Sequence, residues 1–264
     1  MRKFLAMGAV AAIAAVFGLA SPAAAASTVH YVALGDSYSS GVGAGSYIGS
    51  SGSCDRSTNA YSALWASAHA PAAYTSVACS DATTSTVNSS QLSALSSATT
   101  LVSITIGGND VGFSNIMETC ALQGTSACVS AVQSAENYAQ NTLPGLLNTT
   151  YNNIRSHAPN AKVVVIDYPI FYQLGTICIG LSATSHAKID EGINLIDGII
   201  KTAVSAHGNF VFADVRNIFV GHQLCSGGTK WLHALNITDI TESYHPTAAG
   251  QSGGYLPVFT SAAG

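Results

Sequence analysis

The sequence predicts an α/β fold, a three-layer α/β/α sandwich built on a five-stranded parallel sheet. Two observations carry that prediction. Five short runs of β-branched and aromatic residues are each bounded by Gly, Pro, Asp or Asn. Between them lie stretches with helical apolar spacing. Strands that alternate with helices form parallel sheets covered on both faces.

The first strand is expected over Val29–Leu34, which runs apolar into Gly35-Asp36-Ser37. Tyr61–His69 reads as a helix, Tyr74–Ala78 as a strand, and Val87–Leu95 as a second helix. Leu101–Ile106 is a strand ending at Gly107-Gly108-Asn109-Asp110. Cys128–His157 has helical spacing throughout, but Pro144 should kink or split it. Lys162–Asp167 and Phe210–Ala213 supply the fourth and fifth strands, with a helix over Ser182–Ala206 between them. Thr247–Leu256 closes the pattern as a late helix. The Gly/Ser-rich stretch Gly41–Gly52 reads as a loop, and Tyr168–Gly180 and Val220–Trp231 as long loops that each carry a Cys. Long loops above strand ends commonly form substrate pockets.

Residues 1–26 read as a secretory signal. Arg2 and Lys3 precede an apolar run from Phe4 to Ala20, and Ser21 to Ala26 supplies small residues for cleavage. The Ala-x-Ala ending argues against a retained membrane anchor, so the working chain is expected to be one domain, residues 27–264, without stable membrane insertion. That span holds 7 basic and 13 acidic residues, a net charge of −6. It has no basic patch, which argues against nucleic acid as a partner. Six Cys in a secreted chain suggest three disulfides, with 15 connectivities open. No Cys-x-x-Cys or His-Glu-x-x-His occurs, so neither a metal nor a cofactor is expected.

Three turns carry the candidate chemistry. Ser37 follows a strand at the sheet edge where active sites gather. Its hydroxyl could act as a nucleophile, while the following N–H groups open a helix and favour a developing oxyanion. A plain helix-capping Ser is the simpler alternative. Asn109 follows two glycines at a strand end and could donate its amide to an oxyanion. Its neighbour Asp110 reads as structural. His245 stands before Pro246, held extended at a helix entrance as a general base. Its activity should fall near the reference imidazole pKa of about 6.5. Glu242, three residues earlier, could orient that ring, with the Ser243 carbonyl as rival and Asp239 a weaker candidate.

With these residues in order, the chain resembles the SGNH (GDSL-type) hydrolases, in particular secreted bacterial lipases and esterases with three disulfides. Gly35-Asp36-Ser37 fits the first block, Gly107-Gly108-Asn109-Asp110 the third and His245-Pro246 the fifth. The resemblance implies a flavodoxin-like sheet and carboxylic ester hydrolysis through an acyl-enzyme, without cofactor. It also implies the bridges Cys54–Cys79, Cys120–Cys128 and Cys178–Cys225. Two positions depart from the pattern. Asp81 stands where relatives usually have a Gly that donates its backbone N–H to the oxyanion, and Glu242 stands where they usually have Asp. Asp81 should still offer its N–H, with its carboxylate turned outward.

The expected activity is therefore that of a secreted esterase or lipase acting on fatty-acyl esters or phospholipids, as a monomer. Carbohydrate acetyl esters are the competing substrate class, and an inactive binding protein on the same scaffold is the competing function. Gly41-Val42-Gly43-Ala44-Gly45 lacks the last glycine of a dinucleotide-binding turn. Gly35-Asp36-Ser37-Tyr38-Ser39 is not the Gly-x-Ser-x-Gly elbow of the α/β-hydrolases.

Overall fold

The computed structural model describes residues 27–236 and 240–264, so the expected signal segment and Asp239 lie outside the described residues. Five parallel strands form the sheet: β1 His30–Gly35, β2 Ala73–Ser76, β3 Leu101–Thr105, β4 Lys162–Ile166 and β5 Phe210–Ala213. Their spatial order is β2-β1-β3-β4-β5. The chain steps from β1 to one side, then returns past it to lay β3 on the other. That reversal opens a crevice at the carboxyl ends of β1 and β3, where open α/β sheets bind ligands.

The helices are α1 Ser37–Ser40, α2 Tyr61–His69, α3 Thr84–Thr86, α4 Phe113–Leu122, α5 Gly124–Asn141, α6 Leu143–His157, α7 Ala183–Ser205 and α8 Leu256–Ala263. On one face of the sheet, the Tyr31 ring stacks on Phe259 of α8 at 5.3 Å and meets Trp65 of α2 edge-on at 5.4 Å. On α6, Leu143, Leu147, Tyr151 and Ile154 repeat at helical spacing and are fully buried. Every residue of β3 is buried and only Lys162 of β4 is partly exposed, as a sheet covered on both faces requires.

Several boundaries differ from the sequence pattern for local reasons. The long helical stretch divides at Thr142, with Pro144 in the first turn of α6, where a missing N–H costs nothing. Val87–Gln91 is a π-turn followed by a 3₁₀ turn at Leu92–Ala94, not a regular helix. The last helix begins at Leu256 after a π-turn at Gly250–Tyr255, because the Gly253-Gly254 pair weakens helix there while Pro257 suits a first turn. The α4 helix was not anticipated, although Phe113, Ile116, Met117 and Cys120 carry its spacing.

Disulfides join Cys54 to Cys79, Cys120 to Cys128 and Cys178 to Cys225, leaving no free thiol. The second ties α4 to α5. The third ties the loop after β4 to the loop after β5. Gly35 fixes the end of β1. Its φ is +118°, and a Cβ there would lie 2.4 Å from the Thr105 carbonyl oxygen. The Gln91 side chain holds both sides of this residue, accepting from the Gly35 N–H at 2.8 Å and donating to its carbonyl at 2.9 Å.

Gly35→Ala should therefore cost at least about 3 kcal/mol, from backbone strain plus an overpacked contact. Urea unfolding measures it. An unchanged midpoint would mean that β1 and β3 can part without loss.

Candidate active site

Ser37 is the first residue of α1, directly beyond β1. Asp36 caps the helix, its Oδ1 accepting from the Tyr38 N–H at 3.0 Å. The helix lasts one turn because Gly41, at φ +92°, ends it with an N–H to the Ser37 carbonyl at 3.0 Å. Being first, the Ser37 N–H has no acceptor within the helix and points where an anion could bind.

His245 arrives from the opposite end of the chain. Tyr244 precedes it in the left-handed region, at φ +67°. The Tyr38 hydroxyl donates to the Tyr244 carbonyl at 2.9 Å, and the Tyr38 ring lies 5.0 Å from the imidazole. Gly43 lets the loop after α1 come this close. A Cβ there would meet the Pro246 carbonyl oxygen at 2.9 Å and the His245 Cβ at 3.1 Å.

The His245 Nε2 lies 2.7 Å from the Ser37 Oγ, and its Nδ1 lies 3.0 Å from the Ser243 carbonyl oxygen. A carbonyl only accepts, so Nδ1 carries the proton and donates. In the neutral ring Nε2 is then left to accept the Ser37 O–H. Burial pushes the His245 pKa down to about 4, against the opposing pull of the Ser243 carbonyl. Desolvation accounts for its lying below the reference value of about 6.5.

Glu242 does not pair with His245. Its Oε1 accepts from the Tyr47 hydroxyl at 2.5 Å, and burial together with this carboxylate raises the Tyr47 pKa to about 12. The turn explains the correction. The His245 N–H donates to the Glu242 carbonyl at 3.1 Å, and the same bend brings the Ser243 carbonyl to the ring's Nδ1.

Asn109 and Asp81 sit on adjoining turns. The Asn109 Nδ2 donates to the Ala82 carbonyl at 3.0 Å, which orients the amide and leaves its second hydrogen free. Next to it, Asp110 accepts from the Thr84 hydroxyl at 2.6 Å and from the Thr84 N–H at 3.0 Å. Asp110 thus holds the two turns together. Asp81 adopts φ +61°, a conformation Asp tolerates better than most residues, and it is exposed to solvent.

Sequence reasoning assigned nothing to Tyr168. Its hydroxyl donates to the Asp36 Oδ2 at 2.5 Å and accepts from the Gly108 N–H at 2.9 Å. One phenol therefore joins the Ser37 turn to the Asn109 turn. Burial raises the Asp36 pKa to about 7, with the Tyr168 hydrogen bond acting against it. A Cβ on Gly108 would stand 3.1 Å from the Tyr168 hydroxyl, so the glycine makes room for the phenol. Its only sequence signal was its place just past a predicted strand end, before Pro169.

A cleft of about 710 Å³, mouth included, opens beside Ser37. Its walls are mostly apolar, with Val111, Phe113, Ile116, Met117, Phe171 and Ile193 among them. An apolar lining with a few convergent polar groups is typical of a small-molecule site.

Residues 33–252 match the model of the GDSL-like lipase/acylhydrolase family. The chain is 56% identical to Lipase 1 of Streptomyces coelicolor over 259 residues, covering 98% of this chain and 95% of that protein. The solved extracellular lipase of Streptomyces rimosus superposes with a TM-score of 0.86 at 53% identity, covering 89% of this chain and 99% of that one. Phospholipase A1 from Streptomyces albidoflavus NA297 gives a TM-score of 0.86 at 50% identity, with 88% and 98% covered.

The shifted imidazole can be observed directly. In an NMR titration of the folded protein the His245 ring should become protonated near pH 4. A midpoint near the reference value of about 6.5 would show that water reaches the ring freely.

Proposed function

The chain belongs to the GDSL-like lipase/acylhydrolase family, and from that membership we propose that Ser37 and His245 carry out its chemistry as a dyad. The protein is a carboxylic ester hydrolase. The observation that carries the proposal is the 2.7 Å contact from His245 Nε2 to Ser37 Oγ, in a ring whose other nitrogen donates to a backbone carbonyl.

In this reading Nε2 removes the Ser37 proton as Oγ attacks the ester carbonyl. The Ser37–acyl bond forms, and the imidazolium returns its proton to the departing alcohol. Negative charge on the carbonyl oxygen is met by the N–H groups of Ser37 and Asp81 and by the free amide hydrogen of Asn109. Water, deprotonated by the same ring, then releases the acid. The Ser243 carbonyl fixes the tautomer that a triad acid would otherwise fix. Asp36 and Tyr168 act as positioning residues, keeping the nucleophile turn and the oxyanion turn in register.

The apolar cleft supports a long acyl chain in preference to acetyl groups. A phospholipid or a simple fatty-acyl ester fits it, in keeping with the relative described as phospholipase A1. Six paired Cys and the leader-like residues 1–26 favour export, as for the relative described as extracellular. No helix among the described residues is long and apolar enough to cross a membrane. All proposed site residues come from one chain, consistent with action as a monomer.

Ser37→Ala should abolish hydrolysis of long-chain nitrophenyl esters and labelling by a fluorophosphonate, with the fold intact. Activity near wild type would end the assignment. Glu242→Gln should leave turnover within about threefold of wild type, because the ring's acceptor is main chain. A loss approaching the roughly 10⁴ seen on removing a triad acid would give the role back to Glu242.

A further inference from the structure

Away from the turns that carry Ser37 and Asn109, the cleft has one charged lining residue among the described residues. Glu136 lines it from α5, in the α5–α7 wall that faces the turns carrying Ser37 and Asn109. The residue is 5% exposed. One carboxylate oxygen, Oε2, is 2.6 Å from the Lys188 ammonium, which also reaches Glu191 at 3.1 Å. The other oxygen, Oε1, is fully buried and has no hydrogen-bond partner among the described residues.

Gly192 of α7, which also lines the cleft, packs beside that oxygen. A Cβ at Gly192 would lie 3.9 Å from Oε1 and 3.0 Å from Val132 Cγ1. Glycine inside a 23-residue helix is unfavourable on its own account. Here its missing side chain lets α7 come close to Val132 of α5, and the Glu136 carboxylate oxygen stands beside that crossing.

A buried acceptor without a donor is a costly arrangement, and the cost is recovered by any ligand that brings a donor. A plain alkyl terminus beside Oε1 would desolvate it and give nothing back. A hydroxyl would donate to it without breaking an existing bond. We propose that Glu136 is a specificity residue that selects acyl chains bearing a hydroxyl at or near their far end, received where Glu136 and Gly192 line the cleft. This rests on reading the cleft as the acyl site. Discrimination by a hydrogen bond of this kind is large, because the competitor leaves the protein group unpaired.

The test uses matched nitrophenyl esters from hexanoyl to hexadecanoyl, each with and without a terminal hydroxyl, on the full folded chain. The readout is the ratio of kcat/KM for the hydroxylated over the plain ester. Wild type should show a ratio of roughly tenfold to hundredfold at the chain length that reaches Oε1, and less at shorter lengths. Glu136→Leu should bring that ratio to unity or below. Gly192→Ala introduces a helix-favouring residue with a methyl 3.9 Å from Oε1, so it serves even if Glu136→Leu fails to fold, and it should lower the ratio or move its peak to a shorter chain. A wild-type ratio at or below one at every length overturns the inference while leaving ester hydrolysis in place. A ratio that survives both substitutions overturns it as well. Absence of any ester hydrolysis, with no fluorophosphonate label on Ser37, overturns the parent reading and this one together.

Discussion

The site depends on how closely β1 and β3 meet at their carboxyl ends. Gly35 has no side chain to hold Thr105 away, so the Asp36 N–H reaches the Thr105 carbonyl at 3.0 Å. From that junction the chain must turn at once. Asp36 caps the turn, and Ser37 becomes the first residue of a helix one turn long. Because β3 lies alongside in parallel register, its own terminal turn emerges next to the first. Asp36 then finds the phenol of Tyr168 from the end of β4, and that phenol takes the Gly108 N–H. The nucleophile turn and the amide turn are thus fixed by strand pairing, before any feature of the loops is considered. A reversal in strand order alone would leave a crevice without aligned groups. The glycine contact and the Asp36–Tyr168 bridge supply the alignment.

Burial governs the electrostatics of this corner. His245 is held neutral by desolvation, and Asp36 is raised toward neutrality by the same cause. A triad carboxylate against the ring would add a second buried charge, whose desolvation only excellent geometry offsets. The Ser243 carbonyl avoids that cost. It fixes the tautomer by accepting from Nδ1, and its dipole gives some support to an imidazolium. The consequence is a base with a low pKa, present in its working form over a wide pH range but a weaker proton acceptor at each encounter. The proposed mechanism therefore leans more on its proposed oxyanion donors, because preorganised donors cost no reorganisation when charge develops.

The alternation of strand and helix, the parallel sheet and the three motif turns were legible in the sequence because each has a local cause. Apolar period, Gly-rich strand ends and a His-Pro pair can be read without neighbours. Glu242 shows where such reading stops. Spacing of three residues is compatible with pairing to His245, but the left-handed Tyr244 redirects the turn, and φ at one residue is not written in residue type. Tyr168 escaped for the converse reason. It lies 132 residues from Asp36, and nothing local marks their contact. The α4 helix escaped although its periodicity is present, since the glycines and Asn before it read as an extended loop.

The cleft belongs to this less legible class, and that explains how its shape can vary independently of the chemistry. Its strand-end residues are set by the sheet, but much of the wall comes from α4, α5 and α7, none of which carries a motif residue. The Cys120–Cys128 bridge and the Lys188–Glu136 pair join these helices to one another, and the Phe113 N–H to the Gly108 carbonyl and the Tyr168 N–H to Asp197 tie α4 and α7 to the turns of the site. A substitution on α5, or on α7 away from Asp190 and Asp197, can therefore resize the cleft without moving Oγ or Nε2. Substitutions at Gly35, Gly43 or Gly108 cannot, because an added Cβ would stand 2.4 Å, 2.9 Å and 3.1 Å, respectively, from a neighbouring atom. If the cleft is the acyl site, as proposed, reaction type and acyl preference are encoded in different parts of the same sandwich, and only the first is written in short motifs.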